Sequence, residues 1–300
     1  MKIATYNVNS IGARLPVLLH WLASSKPDVA CLQELKTIDE KFPAEAIREA
    51  GYEAVWHGQK AWNGVAILAR GETPEETRRG LPGDPDDTHS RYIEAVVGGI
   101  TVGCLYLPNG NPAPGPKFDY KLKWFERLGA HAANLIHGGG PVVLAGDYNV
   151  IPTERDVYKP ERWVDDALFL PETREAYRQL LAQGWTDSLR HLHPDEVIYT
   201  FWDYMRGAFP RRGPSHRPPA AEPGAGATAE GRGRGQGRAG DGEDERPRAD
   251  VDRIGELSLS TRFSPGSSKL RLWRRSSKRE CLRHEEEPVE GCRVFSKANR

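Results

Sequence analysis

Between Arg211 and Asp250 the chain contains no Val, Ile, Leu, Met, Phe, Trp, Tyr or Cys. A run of Gly, Pro, Ala, Arg and acid lacks the apolar area that offsets the entropy of ordering a chain, so no core is expected there. Other absences narrow the field further. The four cysteines, Cys31, Cys104, Cys281 and Cys292, form no CxxC pair and no zinc-type spacing. Cys31 and Cys104 lie inside apolar, strand-like runs, which favours small buried thiols. No apolar run is long enough to cross a bilayer, and Met1 to Val8 reads as a strand rather than a signal peptide. A soluble, cytoplasmic protein with no membrane partner is therefore expected. Net charge is missing too, at +0 overall, but that zero averages two unlike regions. Arg211 to Arg300 holds 20 Lys+Arg against 14 Asp+Glu, while the front holds 22 against 28. An acidic front suits a divalent-cation site and does not advertise polyanion binding through bulk charge.

What is present in the front is alternation of short apolar strands with helices. Lys2–Val8 and Val29–Leu35 read as buried strands, separated by a helix whose apolar face is Leu15, Leu18, Leu19 and Leu22. A helix over Pro43–Ala50, strands over Tyr52–His57 and Gly64–Ala69, and a hairpin of Tyr92–Val97 with Thr101–Leu107 follow. Lys117–His137 predicts a long amphipathic helix, Val142–Ala145 a buried strand, and Pro171–Gln183 the last helix, with strand and loop over Trp185–Leu189 and Ile198–Tyr204. Strands and helices without strict βαβ repetition point to a layered α/β fold with two sheets. Past Arg211 the scattered Leu257, Phe263, Leu270, Leu272 and Trp273 are too few for a core. Residues 1–210 are read as the catalytic domain and 211–300 as a disordered, low-complexity tail.

Three motifs end predicted buried strands: Thr5-Tyr6-Asn7-Val8-Asn9, Leu32-Gln33-Glu34-Leu35-Lys36 and Gly146-Asp147-Tyr148-Asn149. A carboxylate at a strand end is desolvated on one side and open on the other, which suits a hard cation that keeps several waters. Glu34 is the best ligand candidate, with Asn7 adding its amide oxygen. Asp147 and Asn149 project to one side because strand side chains alternate. One can take a proton from water while the other donates to a phosphate oxygen. The phenol of Tyr106 is expected at the same rim. Singly each residue has a plainer use: a solvated strand-end charge, a turn former, core, or an Asp and Asn that satisfy their own backbone. Together they describe complementary chemistry on three strand ends.

The stretches TYNVNS, CLQELK, VWHGQK, NGVAIL, YLPNG, AGDYN and YTFWDY resemble the exonuclease III family of Mg²⁺-dependent apurinic/apyrimidinic endonucleases, within the endonuclease/exonuclease/phosphatase superfamily. The resemblance covers residues 1 to about 210. It implies a four-layer sandwich of two packed mixed sheets flanked by helices. It further implies a monomer that cleaves duplex DNA at abasic sites and from 3′ ends with Mg²⁺ or Mn²⁺. Carried onto this chain, it makes Asn7, Glu34, Asp147 and Asn149 metal-site residues. Tyr106 becomes a catalytic tyrosine, Asp147 the water-activating base, Asn149 the transition-state stabiliser, and Asn109 and Trp202 substrate-binding residues. The alternatives are a sister phosphodiesterase acting on a phospholipid or inositol phosphate, and a non-catalytic nucleic-acid-binding remnant.

The family pattern also requires an R-I-D-H-type strand and a terminal S-D-H-A-P block, and neither occurs in this chain. Their absence leaves the second sheet incomplete. Both can be recovered by reading one nucleotide later. Gly213 to Glu222, back-translated with fourfold Ser and Arg codons and shifted, can spell G-L-R-I-D-H-L-L-L-S. Glu243 to Ile254 in the same frame can spell K-T-S-D-H-A-P-T-W-I-E. The two matches share a frame and fall in family order. The expectation is an enzyme whose front is in frame, whose tail is not, and whose activity is impaired.

Overall fold

The structure, a computed structural model, describes residues 1–201 and the backbone of Leu259–Arg262, Arg271–Trp273 and Cys292–Lys297. These residues belong to one unit, Met1–Phe209 with Asp252–Arg300. Trp202 and most of the predicted tail lie outside the described residues.

Strand β1 (Lys2–Asn7), helix α1 (Ile11–Ser25), β2 (Val29–Gln33), α2 (Ala44–Glu49), β3 (Tyr52–His57) and β4 (Val65–Arg70) build the first half. In the second half β5 (Glu75–Arg79), β6 (Tyr92–Val97), β7 (Ile100–Tyr106), α3 (Pro116–His137) and β8 (Val142–Asp147) come first. They are followed by α4 (Pro171–Ala182), β9 (Thr186–Asp187) and α5 (Ser188–Leu192). The last strands are β10 (Leu259–Arg262), β11 (Arg271–Trp273) and β12 (Cys292–Lys297). One sheet runs β11-β10-β1-β2-β4-β3 and the other β5-β6-β7-β8-β12-β9. Each sheet is mixed, with one parallel pair among the described residues, β1 with β2 and β7 with β8.

The period of two along each strand decides what meets what. Ile3, Val29, Cys31, Val65 and Ile67 face Ile93, Val102, Cys104, Val143 and Ala145 across the space between the sheets. The alternate residues Ala4, Tyr6, Ala30, Leu32 and Leu68 pack outward against Leu18, Trp21 and Leu22 of α1. On the opposite side Tyr92, Leu105 and Leu144 pack against Trp124, Phe125 and Leu128 of α3 and Tyr177 and Leu180 of α4. Each such aliphatic side chain contributes about 1.5–3 kcal/mol relative to exposure. The result is the four-layer helix–sheet–sheet–helix arrangement expected, with Cys31 and Cys104 buried as thiols outside any disulfide.

Three elements depart from the sequence reading. Strand β5 (EETRR) is exposed throughout, so it carries no apolar period to read. At 185–189 the strand stops after two residues, because the Asp187 carboxylate accepts from Leu189 N and Arg190 N and starts a helical turn. The tail, read as free of elements, contributes strands that extend both sheets, each now with six. Strand β10 pairs with the free side of β1, and β12 lies between β8 and β9. Backbone ladders explain this: unpaired N–H and C=O groups on β1 and β8 accept any extended chain, whatever its side chains.

Candidate active site

The parallel pairs place four strand ends together. Asn7 is opposite Gln33 in the β1/β2 register, and Tyr106 is opposite Asp147 in the β7/β8 register. Gly146 permits the second pairing, since a Cβ there would sit 2.0 Å from the Leu105 carbonyl oxygen. Beyond the strands the chain bends sharply. Glu34 has φ 55° and Asn149 φ 45°, left-handed values that L residues adopt at a cost, and such strain gathers at functional sites.

The side chains then meet across the gap between the sheets. Asn7 Nδ2 donates to Glu34 Oε1 at 2.9 Å and to Asp147 Oδ2 at 3.1 Å. The Tyr106 hydroxyl donates to Glu34 Oε1 at 2.9 Å. Asp147 Oδ1 accepts from Asn149 N at 2.9 Å, so the plainer use of an Asp that satisfies its own loop holds alongside the chemical one. Asn149 Nδ2 donates to Leu107 O at 2.7 Å, and its Oδ1 accepts from Asn109 Nδ2 at 3.3 Å. The predicted Asn7, Glu34, Tyr106, Asn109, Asp147 and Asn149 thus form one connected network.

The electrostatics follow from burial. Asp147 is 2% exposed, and desolvation pushes its carboxyl up to about 7; the amide of Asn149 and the side chains of Asn7 and Lys121 oppose that, while the Glu34 carboxylate adds to it. Burial, then the carboxylates of Glu34 and Asp147, hold the Tyr106 phenol well above its ordinary value, so it stays a hydrogen-bond donor.

Sequence reading missed four residues here. Lys36, at the end of CLQELK, reaches Glu34 Oε2 at 2.7 Å and Asn9 Oδ1 at 2.6 Å. Arg91 lies over the Tyr106 ring, its Cζ 4.9 Å from the centroid, and gave no signal in its surroundings. Trp62, 77% exposed, stands beside Lys36 on the 60–64 turn. Lys121, without exposed surface, lies behind Asn109 and Asn149 and was legible as a cation inside the apolar stripe Phe118, Lys121, Trp124, Phe125, Leu128.

Two converging carboxylates bridged by an amide match what Mg²⁺ takes from a protein, one or two carboxylates with water completing the shell. Among the described residues no group of three or more His, Cys, Asp or Glu gathers as a ready-made metal cage. The Asn7 amide turns its nitrogen, not its oxygen, to the carboxylates, because Asn7 Oδ1 accepts from Asn9 N at 3.1 Å. The donor set fits a hard divalent cation held by Glu34 and Asp147, with Asn7 presenting oxygen only after an amide flip.

Compared with known proteins, the chain matches the profile of the Endonuclease/Exonuclease/phosphatase family over residues 4–254. The chain belongs to this family. Its exonuclease III branch is indicated by the exodeoxyribonuclease III of Haemophilus influenzae, 34% identical over 221 residues, covering 70% of this chain and 82% of that protein. The DNA repair nuclease APEX1 of Danio rerio is 34% identical over 214 residues, 69% of this chain and 68% of that one. Among solved structures, the 3′ phosphatase NExo from Neisseria bound to a product DNA hairpin has a TM-score of 0.67 at 41% identity. It covers 69% of this chain and 80% of its own. An AP endonuclease from Archaeoglobus fulgidus has a TM-score of 0.65 at 41% identity, covering 68% and 79%. The relatives named are hydrolytic DNA nucleases of the exonuclease III type, and the family is enzymatic. No helix among the described residues is long and apolar enough to cross a membrane.

Proposed function

We propose that the site hydrolyses phosphodiesters of duplex DNA, at abasic sites and at 3′ ends, with Mg²⁺ bound at Glu34, Asp147 and Asn7. The observation that carries this is Asp147. It is a buried carboxylate held up to about 7, hydrogen-bonded into the loop of Asn149 and linked through Asn7 to Glu34. A base poised near neutrality takes a proton from water most effectively at physiological pH. Asn149 uses one amide N–H on Leu107 and offers the other to a phosphate oxygen. Tyr106, kept protonated, orients Glu34 and presents its phenol at the same rim. The metal, when bound, neutralises phosphate charge. Trp202, in the YTFWDY stretch, is proposed to line the pocket for a flipped-out abasic sugar.

The second part of the proposal concerns this particular chain. Among the described residues no histidine is hydrogen-bonded to Asp147, Asn149, Glu34 or Tyr106, and the R-I-D-H and S-D-H-A-P blocks are absent from the sequence. Relatives cover about 70% of the chain, and the family profile spans residues 4–254. We read the chain as passing into another reading frame between about Tyr204 and Gly213, with activity near background.

The test is a cleavage assay with the frame-restored chain on end-labelled duplexes, one carrying an abasic site and one a recessed 3′ end. A phospholipid and an inositol phosphate are run in parallel. The expected outcome is Mg²⁺-dependent cutting of both duplexes and none of the other two. Hydrolysis of the lipid or inositol phosphate without DNA cutting would replace the nuclease reading with the sister phosphodiesterase.

A further inference from the structure

Helix α3 buries an apolar stripe against the second sheet, and a lysine in such a stripe requires an explanation. Lys121 is 0% exposed, between Phe118 and Trp124. Its Nζ donates to the carbonyl oxygen of Asn109 at 3.0 Å and to that of Asn149. One ammonium therefore joins the loop after β7 to the loop after β8, the two loops whose side chains meet as Asn109 Nδ2 and Asn149 Oδ1. The surroundings are shaped for it. Gly110 has φ +90°, and a Cβ there would lie 2.6 Å from Lys121 Cδ and 3.2 Å from Ala167 Cβ. Asn149 is itself left-handed, and its carbonyl is one of the two that meet the ammonium. Burial lowers the Lys121 amine to about 7, and the carboxylates of Asp147 and Asp166 act against that to hold its proton.

We infer that Lys121 is a positioning residue, holding Asn109 and Asn149 at the spacing in which they meet a DNA phosphate. The inference rests on the nuclease reading above. Lys121 does not touch substrate; it fixes the backbone from which two amides project, where a small misplacement lowers affinity and rate sharply.

A lysine that merely filled the core would be replaced without loss by Met, which is apolar and nearly the same shape; removing a buried charge in this way is often neutral or stabilising. The experiment uses the full 300-residue chain, labelled with ¹⁵N at asparagine, and a duplex carrying one tetrahydrofuran abasic site. Side-chain amide signals, duplex affinity and thermal midpoint are read for the unaltered chain, Lys121→Met and Lys121→Arg. Lys121→Met is expected to keep its midpoint within about 3 °C, to displace the Asn109 and Asn149 signals, and to weaken duplex binding about tenfold. Lys121→Arg, which keeps the donors, is expected to regain most of that affinity. Gly110→Ala, which pushes the lysine stem from the other side, is expected to displace the same signals and keeps the test sharp should Lys121→Met fail to fold. Unmoved amide signals with unchanged affinity in Lys121→Met would overturn the inference and leave the nuclease reading standing. An unaltered chain with no affinity for the duplex would also overturn the inference, while the nuclease reading stands or falls with the frame-restored chain.

Discussion

The two parts of this chain enter the same pair of sheets on different terms. Strands β1, β2, β7 and β8 bury alternating side chains on both faces and end in the residues that do the chemistry. Strands β10 and β12 take places in the same sheets, β10 beside β1 and β12 between β8 and β9 over Cys292–Lys297. Hydrogen bonding along a sheet edge is tolerant of sequence, whereas an active site is not. A strand position can be filled by chain of many sequences, but a histidine or aspartate of a site has no such substitute. Completeness of a sheet is therefore no guide to completeness of the site built on it.

That contrast can be broken most forcefully at Asp147. In the frame-restored chain Asp147→Asn is expected to cut the rate of abasic-site cleavage by roughly 10²–10⁴-fold, the range for loss of a general base. A loss below tenfold would move the base elsewhere. Gly146→Ala comes next. With a Cβ 2.0 Å from the Leu105 carbonyl oxygen, it is expected to destabilise the front by about 3 kcal/mol in chemical denaturation, at the upper end for overpacking. An unchanged denaturation midpoint would show that the β7/β8 pairing is looser than described.

A smaller effect distinguishes the front by pH. The folded Asp147 carboxyl lies near 7, above an unfolded value of about 3.9. A raised acid stabilises the fold fully below its unfolded value and loses that contribution as pH rises through its folded value. In metal-free buffer the thermal midpoint should accordingly fall between about pH 4 and pH 7, and Asp147→Asn should flatten that slope. Equal slopes in the two proteins would count against the buried charge. The smallest effect is expected from Val294→Pro in β12, opposite Ala145, which should cost under about 1 kcal/mol if the front folds without the tail strand. Global unfolding would make the tail strand a full member of the core.

Much of this was readable before the fold was seen, for identifiable reasons. The apolar periods of Lys2–Val8, Tyr52–His57 and Tyr92–Val97 gave strands within a residue of those observed, because side-chain burial decides those elements. Six of the seven proposed site residues converge because their motifs end strands that pair in parallel; the seventh, Trp202, lies outside the described residues. What stayed illegible depends on contacts that only the folded backbone brings about. Arg91 acquires its place from the Tyr106 ring, and Lys36 from the carboxylate two residues before it across two left-handed turns. Lys121 shows only as an anomaly in a stripe until the carbonyls of Asn109 and Asn149 are placed beside it. Strand β5 leaves no pattern, since an exposed edge strand imposes none.

We propose that the front is half of a nuclease site whose other half is encoded one nucleotide away. The direct test is single-turnover cleavage of an abasic-site duplex in Mg²⁺ by this chain and by the chain restored to the shifted frame between about Tyr204 and Gly213. This chain should remain near the uncatalysed background, and the restored chain should cut at least about 10³-fold faster. Equal rates, or a restored frame that lacks the R-I-D-H and S-D-H-A-P blocks, would contradict it.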